Sequence, residues 1–417
     1  MRALLNLLTF IFSVAWGAYA QSGWVAILPN PELQGWQVDG APKFQFENGL
    51  LVFEGESRGR LLTKRTYRNC IVRVEFRNSP GANHGIALRA PLGWQASRYG
   101  MEIQILDDFT ADPARVGNRS RCGAIYGVVP VRFSAVRPPG QWNTMTITCQ
   151  ERQVKVELNG LTVVDVNLNS IHDVALLRDR PGFLQEEGHI GFVAHSGRVE
   201  FRKLDIRELP TPKRRLNEPP AGFVALFNGR DLSGWQSWYA NPPEIATLPE
   251  EERRRLQEEA NRQHLRHWSV ENGELVFDGK GVSLLTQHKY RNFELILEWQ
   301  IPPGGDSGIY LRGVPQVQIW DRPEGSGGLY NNERSPNKPL TRADRPPGQW
   351  NRFHILMLDG SVYVWLNGVL VVNNIPLENY WNREQPLPEQ GPIWLQAHGS
   401  PLRFRNLFLR EIGKTVD

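Results

Sequence analysis

Apolar and charged side chains alternate along Val72-Arg73-Val74-Glu75-Phe76, and Phe293, Leu295, Leu297 and Trp299 alternate with Glu294, Ile296 and Glu298. A period of two predicts strands with one buried face, because successive side chains on a strand point to opposite sides. Val154-Lys155-Val156-Glu157-Leu158, Asn159-Gly160 and Leu161-Thr162-Val163 predict a hairpin. Asn-Gly supplies the positive φ that a type I′ turn needs at both central positions. The pattern returns around Asn367-Gly368. Many short strands separated by Gly and Pro turns predict an all-β chain of two-sheet sandwiches or jelly rolls. Residues 248–267 depart from this. Pro249, then Glu- and Arg-rich positions with Leu256 and Leu265, predict a charged helix of about four turns with Glu–Arg pairs at i, i+4. It reads as a solvated excursion or, alternatively, as a lid over the second half.

The landmarks occur twice. Leu61-Leu62-Thr63 with Tyr67-Arg68-Asn69 returns as Leu284-Leu285-Thr286 with Tyr290-Arg291-Asn292, and Pro138-Pro139-Gly140-Gln141-Trp142-Asn143 returns letter for letter at residues 346–351. A spacing of roughly 200 residues is too long for a solenoid repeat and suits a duplicated domain. Two tandem jelly-roll domains are therefore expected over residues 23–209 and 222–413, joined by a Pro-rich, charged linker at 210–221. Arg89, Gln104, Asp107, Tyr126 and His195 recur as Arg312, Gln318, Asp321, Tyr330 and His398, whereas Glu102 becomes Gln316. A polar residue kept in both copies answers to a common scaffold or a common ligand. One that changes marks altered chemistry, so one working site and one diverged copy are expected.

Composition narrows the partners. The net charge of +4 is spread among both signs, which does not suggest a nucleic-acid protein. Fourteen Trp, 39 Gly and 30 Pro fit a turn-rich β protein. Arg2, an apolar run to Trp16 and Ala18-Tyr19-Ala20 predict a signal peptide over residues 1–20, cleaved near Ala20-Gln21. A periplasmic or secreted protein without membrane insertion is expected, since no later apolar run reaches the ~18 residues that span a bilayer. An oxidising compartment allows a disulfide among the three cysteines. Cys70 with Cys149, both in strand-like segments, is one reading and three buried thiols is the other.

The densest candidate chemistry is Tyr99-Gly100-Met101-Glu102-Ile103-Gln104-Ile105-Leu106-Asp107. Met101, Ile103 and Ile105 share one face, so Glu102 and Gln104 share the other, and Asp107 joins them only if a bulge re-aims it. By the same parity Arg89 falls on the polar side of its strand and His195 ends another. If the strands are neighbours, Glu102, His195, Arg89 and Asp107 form a catalytic set that can move a proton and stabilise an oxyanion. Gln104, His84, Trp94, Tyr99 and Tyr126 would bind a sugar ring, and Arg312, Gln318, Asp321, Tyr330, Gln396 and His398 are the candidates in the second copy. The plainer alternatives are a solvated Glu102, an Arg89–Asp107 salt bridge and a His195 that bonds a turn. No metal-ligand spacing, nucleophile elbow or phosphate loop occurs, so no cofactor is identified, although a divalent cation on carboxylate and imidazole ligands stays open.

The ordered set Phe223 to Trp235, Leu-Leu-Thr, Gly85-Ile86 to Arg89, Glu102 to Asp107, Gly123 to Tyr126, Gln141-Trp142-Asn143 and Leu395-Gln396-Ala397-His398-Gly399 resembles the 3-keto-disaccharide hydrolase domain family, in both copies. The resemblance implies concanavalin-like jelly rolls and a saccharide oxidised at C3 as substrate. It implies that a base, Glu102 or His195, removes the C2 proton. The C1 substituent then leaves, water adds to C1, and Arg89 steadies the enolate or the sugar. The second copy departs from the family pattern at Gln316 and Val314-Pro315, which points to binding or support. The fold implied is also similar to laminarinase-type glucanases, but Glu102-x-Gln104-x-x-Asp107 lacks their middle carboxylate. A glucanase, a non-catalytic protein of two lectin-like sandwiches, and a structural spacer are the alternatives to the hydrolase or lyase.

Overall fold

The computed structural model describes residues 23–110 and 116–413. The expected signal peptide lies outside them. The chain divides into two compact units, Met1–Leu168 with Gly182–Thr211, and Asn169–Pro181 with Pro212–Asp417. Each unit is an antiparallel two-sheet sandwich of the concanavalin-like jelly-roll type, as the alternation of apolar and polar residues predicts.

In the first unit, an eight-stranded sheet is centred on Asn143–Gln150, Cys70–Asn78 and Val199–Glu208. It packs against a five-stranded sheet in the order Trp36–Ala41, Arg58–Thr63, His189–Ser196, Asn83–Ala90, Met101–Leu106. Val72, Val74 and Phe76 from one sheet and Ile86, Ile103, Ile105 and Phe192 from the other are excluded from water. At roughly 2 kcal/mol per fully buried large aliphatic or aromatic side chain, this face is what holds the sandwich closed. The Asn159-Gly160 turn has φ of 53° and 84°, as a type I′ turn requires.

The letter-for-letter repeat is a structural node. Asn143 Oδ1 accepts from Arg137 N at 2.9 Å and from Asn159 Nδ2 at 2.8 Å, so it ties a loop to the hairpin turn. Asn351 does the same with Arg345 N and Asn367 Nδ2, each at 2.8 Å. The preceding Trp142 and Trp350 carry arginines over their rings, with the Arg202 and Arg405 guanidinium carbons 4.3 and 3.9 Å from the centroids.

Cys70 and Cys149 stand opposite one another on neighbouring strands, but all three cysteines are buried free thiols. The corresponding pair in the second unit is Phe293 opposite Met357, so the position is an apolar contact in both. Burial pushes the Cys70 and Cys149 thiols up, which keeps them protonated and inert.

The second unit pairs an eight-stranded sheet with a six-stranded one in the order Trp235–Ser237, Leu284–Thr286, Trp394–Leu395, Asp306–Tyr310, Gln316–Trp320, Leu329–Tyr330. Two helices, Pro242–Thr247 and Glu250–His264, stand where the first unit has a short turn. Three glutamates open the longer helix and Arg262 and His264 close it, which complements its dipole. Arg255 pairs with Glu252 at 2.7 Å and Glu259 at 3.3 Å on the outer side. The inner side is not a solvated surface. Gln257 Nε2 donates to Ser237 O at 2.7 Å and Asn261 Oδ1 accepts from Ser237 N at 2.9 Å, so the helix extends the hydrogen bonding of an edge strand.

The segment Asn169–Pro181 belongs to this second unit. Tyr363 donates its hydroxyl to Arg178 O at 2.6 Å, Arg178 pairs with Asp359 at 2.7 Å, and Arg410 Nη1 donates to Asn169 O at 3.1 Å. Behind Arg410, the fully buried Glu294 accepts from Arg410 Nε at 3.0 Å and meets His354 Nε2 at 2.7 Å. Among the described residues no helix is long and apolar enough to cross a membrane.

Candidate active site

The five-stranded sheet of the first unit brings together three strands that chemistry requires. His189–Ser196 pairs with Asn83–Ala90, which pairs with Met101–Leu106. Across the sheet, Gln104, Gly85, Val193, Arg60 and Asp39 stand in one register row, and Glu102, Ala87, Gly191, Leu62 and Gln37 in the next. Over these rows lies a cavity of about 460 Å³, lined among others by Glu102, Gln104, Tyr126, His195, Asn83 and Arg60. Glu102 and His195 are two strands apart, about 10 Å between strand axes at ~4.8 Å a step, and both border the same space.

Each group is held for a local reason. Glu102 lies over Gly85, where an added Cβ would meet its Oε1 at 2.5 Å, so a residue without a side chain is needed beneath the carboxylate. Gln104 donates from Nε2 to Asn83 Oδ1 at 2.7 Å, while its buried Oε1 meets no donor among the described residues. Arg60 is paired with Asp39 at 2.9 Å. His195 sits where the pairing slips between Ala194 and Ser196, and this bulge turns its exposed imidazole to the cavity rim.

Several expected site residues are elsewhere. Arg89 is not on the polar face. It is 3% exposed at φ 50° and donates to Gln185 O at 3.1 Å and Arg68 O at 3.0 Å, which fastens two loops. A Cβ on Gly188 would lie 2.3 Å from the Arg89 carbonyl carbon, so the chain passes that backbone only as glycine. Asp107 makes no salt bridge with it. Its carboxylate accepts from Gly81 N and Phe109 N, each at 3.0 Å, and from the Thr110 hydroxyl. Burial alone would push this carboxyl up, but those hydrogen bonds outweigh it and hold it below its ordinary value. Trp94 packs at a tilt against the buried Tyr99, 4.7 Å between ring centroids, outside the cavity lining.

His84 faces the core, not the cavity. Its Nε2 lies 3.3 Å from Gly197 O and must carry the hydrogen, leaving Nδ1 to accept from His195 N at 3.4 Å. Burial pushes its pKa down to about 4, so it stays neutral and fixes the backbone of His195 from behind. Arg60 and Asn83 carry no sequence signal of their own. Only the pairing of their strands with the Glu102 strand singles them out.

In the second unit the shared residues repeat the supporting roles. Arg312 donates to Arg291 O at 2.6 Å and Asn292 Oδ1 at 3.0 Å, with Gly391 beneath it. Asp321 accepts from Gly304 N at 3.0 Å. Gln316 is 1% exposed, and its amide donates to Gln318 Oε1 and Gln396 Oε1, both at 2.8 Å. Gln318 and Tyr330 line one small cavity and Gln396 another, while His398 approaches Asp306 at 3.8 Å. Among the described residues no three His, Cys, Asp or Glu side chains are grouped to hold a metal ion.

A family model described as the 3-keto-alpha-glucoside-1,2-lyase-like domain matches residues 23–207 and again 222–410. The chain belongs to this family. The lyase-like domain is thus present twice, with both matches spanning whole sandwiches. A 3-keto-disaccharide hydrolase of Bacteroides thetaiotaomicron is 23% identical over 288 residues, 55% of this chain and 90% of that protein. A Parabacteroides distasonis protein provisionally assigned as a glycosyl hydrolase overlaps at 24% identity and TM-score 0.40, covering 45% of this chain and 99% of that one. A carbohydrate-binding module from Bacillus subtilis overlaps at 8% identity and TM-score 0.30, covering 42% of this chain and 96% of that one.

Proposed function

We propose that the first unit cleaves glycosides that carry a ketone at C3. The observation that carries this reading is that Glu102 and His195 border one cavity in which Glu102 is the sole carboxylate among the described lining residues. The C3 ketone acidifies the C2 proton. Glu102 takes that proton, and the C–H electron pair becomes the C2–C3 enolate, whose oxygen faces the Arg60 guanidinium. The pair returns to re-form the C3 carbonyl and a C1–C2 double bond as the C1–O bond breaks, and His195 protonates the departing oxygen. Water then adds at C1 and a proton at C2, giving the free 3-keto sugar. Gln104 Oε1 and the Asn83 amide would hold sugar hydroxyls. Gln104 cannot titrate, and Asp107 is committed to its loop. The paired carboxyls ~5 Å apart that a retaining glucanase uses are therefore not supported.

The test is release of a chromogenic aglycone from a 3-keto-glucoside and from its unoxidised parent. Turnover of the keto form alone is expected. Release from the parent would favour the glucanase, and release from neither would favour a glycan-binding protein.

A further inference from the structure

The second unit has a cavity of about 260 Å³ on the face that corresponds to the Glu102 site. Its walls are Trp238, Tyr310, Trp381 and Trp394, with Asn241, Ser283 and Gln396 between them. The register accounts for the change. Tyr310 and Trp394 pair with each other as Ala87 and Gly191 do in the first unit, and Trp394 pairs with Leu285 as Gly191 does with Leu62. Two of the smallest residues on the floor of one site are thus aromatic in the other. By the same alignment Trp238 and Ser283 stand where the first unit has the ion pair of Asp39 and Arg60.

We propose that this cavity is a non-catalytic binding site for a single neutral pyranose ring. Four features support that ligand. No charged side chain lines the cavity among the described residues, so an anionic or cationic ligand would find no counter-charge. Aromatic faces take the apolar C–H face of a sugar while amide and hydroxyl groups take its edge. The Nε1 groups of Trp238 and Trp394 are both shielded from water and meet no acceptor among the described residues, although Tyr and Trp polar tips ordinarily find one. The volume is slightly below the ~300 to 1,000 Å³ of ordinary ligand pockets, which suits one ring or the terminal ring of a glycan.

The walls are braced before any ligand arrives. Trp381 donates from Nε1 to Gly313 O at 3.2 Å and packs on Tyr380 at 4.7 Å between centroids. Tyr310 packs on Trp394 at 5.0 Å. Glu378 anchors the same loop by accepting from Arg334 N and Arg383 Nε, each at 3.1 Å. The inserted helix braces the Trp238 wall from behind, because its bonds to Ser237 fix the strand end that carries Trp238. Rigid aromatic walls lower the ordering cost of binding.

The test is titration of the full chain with methyl glucopyranosides of both anomers, followed by tryptophan fluorescence and calorimetry. Saturable binding is expected, weakened at least tenfold by Trp381→Ala. Gln396→Val, which installs the residue the first unit has at that position, should weaken it similarly while sparing the aromatic walls. Melting curves of both variants verify that they are folded. Turnover of the 3-keto-glucoside by the first unit should be unchanged in both, so failure of this proposal and failure of the catalytic one are distinguishable. Absence of binding to either anomer, or binding that both variants leave intact, would overturn the proposal.

Discussion

The two units share a scaffold and differ in one register row. In the first, Glu102, Ala87 and Gly191 leave a carboxylate beside open space. In the second, Gln316, Tyr310 and Trp394 fill the same row, and Gln316 is spent on neighbouring amides. What recurs between the copies is support. Arg89 and Arg312 hold loop carbonyls, Asp107 and Asp321 hold hairpin amides, and Asn143 and Asn351 hold a turn. In a duplicated chain of this kind, the residue that changes is the better pointer to chemistry.

The largest expected effect comes from making the first unit resemble the second. Glu102→Gln should lower turnover of a 3-keto-glucoside by about 10² to 10⁴, the usual worth of a general base. Undiminished single-turnover rates would remove Glu102 from the mechanism. Next come the shared arginines. Arg89→Ala and Arg312→Ala should each cost about 3 kcal/mol in urea unfolding, because each leaves buried carbonyls without a donor. Turnover per folded molecule should survive both. A stable Arg89→Ala protein without activity would return Arg89 to the chemistry.

His84 gives the third contrast. Its folded pKa of about 4 lies below the ordinary 6.5, so the neutral form is the one the fold holds. Its contribution is complete above pH 6.5 and is lost as the pH falls towards about 4, amounting to about 3 kcal/mol at most. Subtracting the stability–pH curve of His84→Gln from that of the parent should isolate this loss. A flat difference curve would mean that His84 is not held neutral. The smallest effect is expected from Gln316→Glu in a Glu102→Gln background. It should restore no turnover and should cost about 2 kcal/mol, since a buried carboxylate there loses the amide's donors. Recovered activity would show that the aromatic row does not block the second site.

The strands and their inward faces were legible because alternation depends only on neighbours in sequence. Glu102, Gln104 and His195, singled out by parity and chain order, and Tyr126, singled out as an aromatic, border one cavity. Arg89 was misplaced by the same rule, whereas His84 was placed at the sugar although parity sets it with Ile86 and Leu88 on the inward face. Arg89 takes φ 50° at a bulge in its strand, where the register slips opposite His189 and Gly191 and simple parity no longer applies, and His84 is a polar residue accepted into the core because a carbonyl and an amide meet its ring. The aromatic cavity was not legible at all. Trp238, Tyr310, Trp381 and Trp394 come from four separate stretches, and only the sheet order places them together.

The membership of Asn169–Pro181 in the second unit bears on how the protein is made. Synthesis completes the first unit's strands at about residue 211, yet Arg410, which holds the Asn169 carbonyl, emerges roughly 200 residues later. At ~5–20 residues per second that is a delay of about 10–40 s. During it the short helix capped by Asp173 waits on the ribosome for a sheet not yet translated. A synonymous-codon slowdown placed between the two halves would lengthen that wait, and a stop codon at the linker would make it permanent.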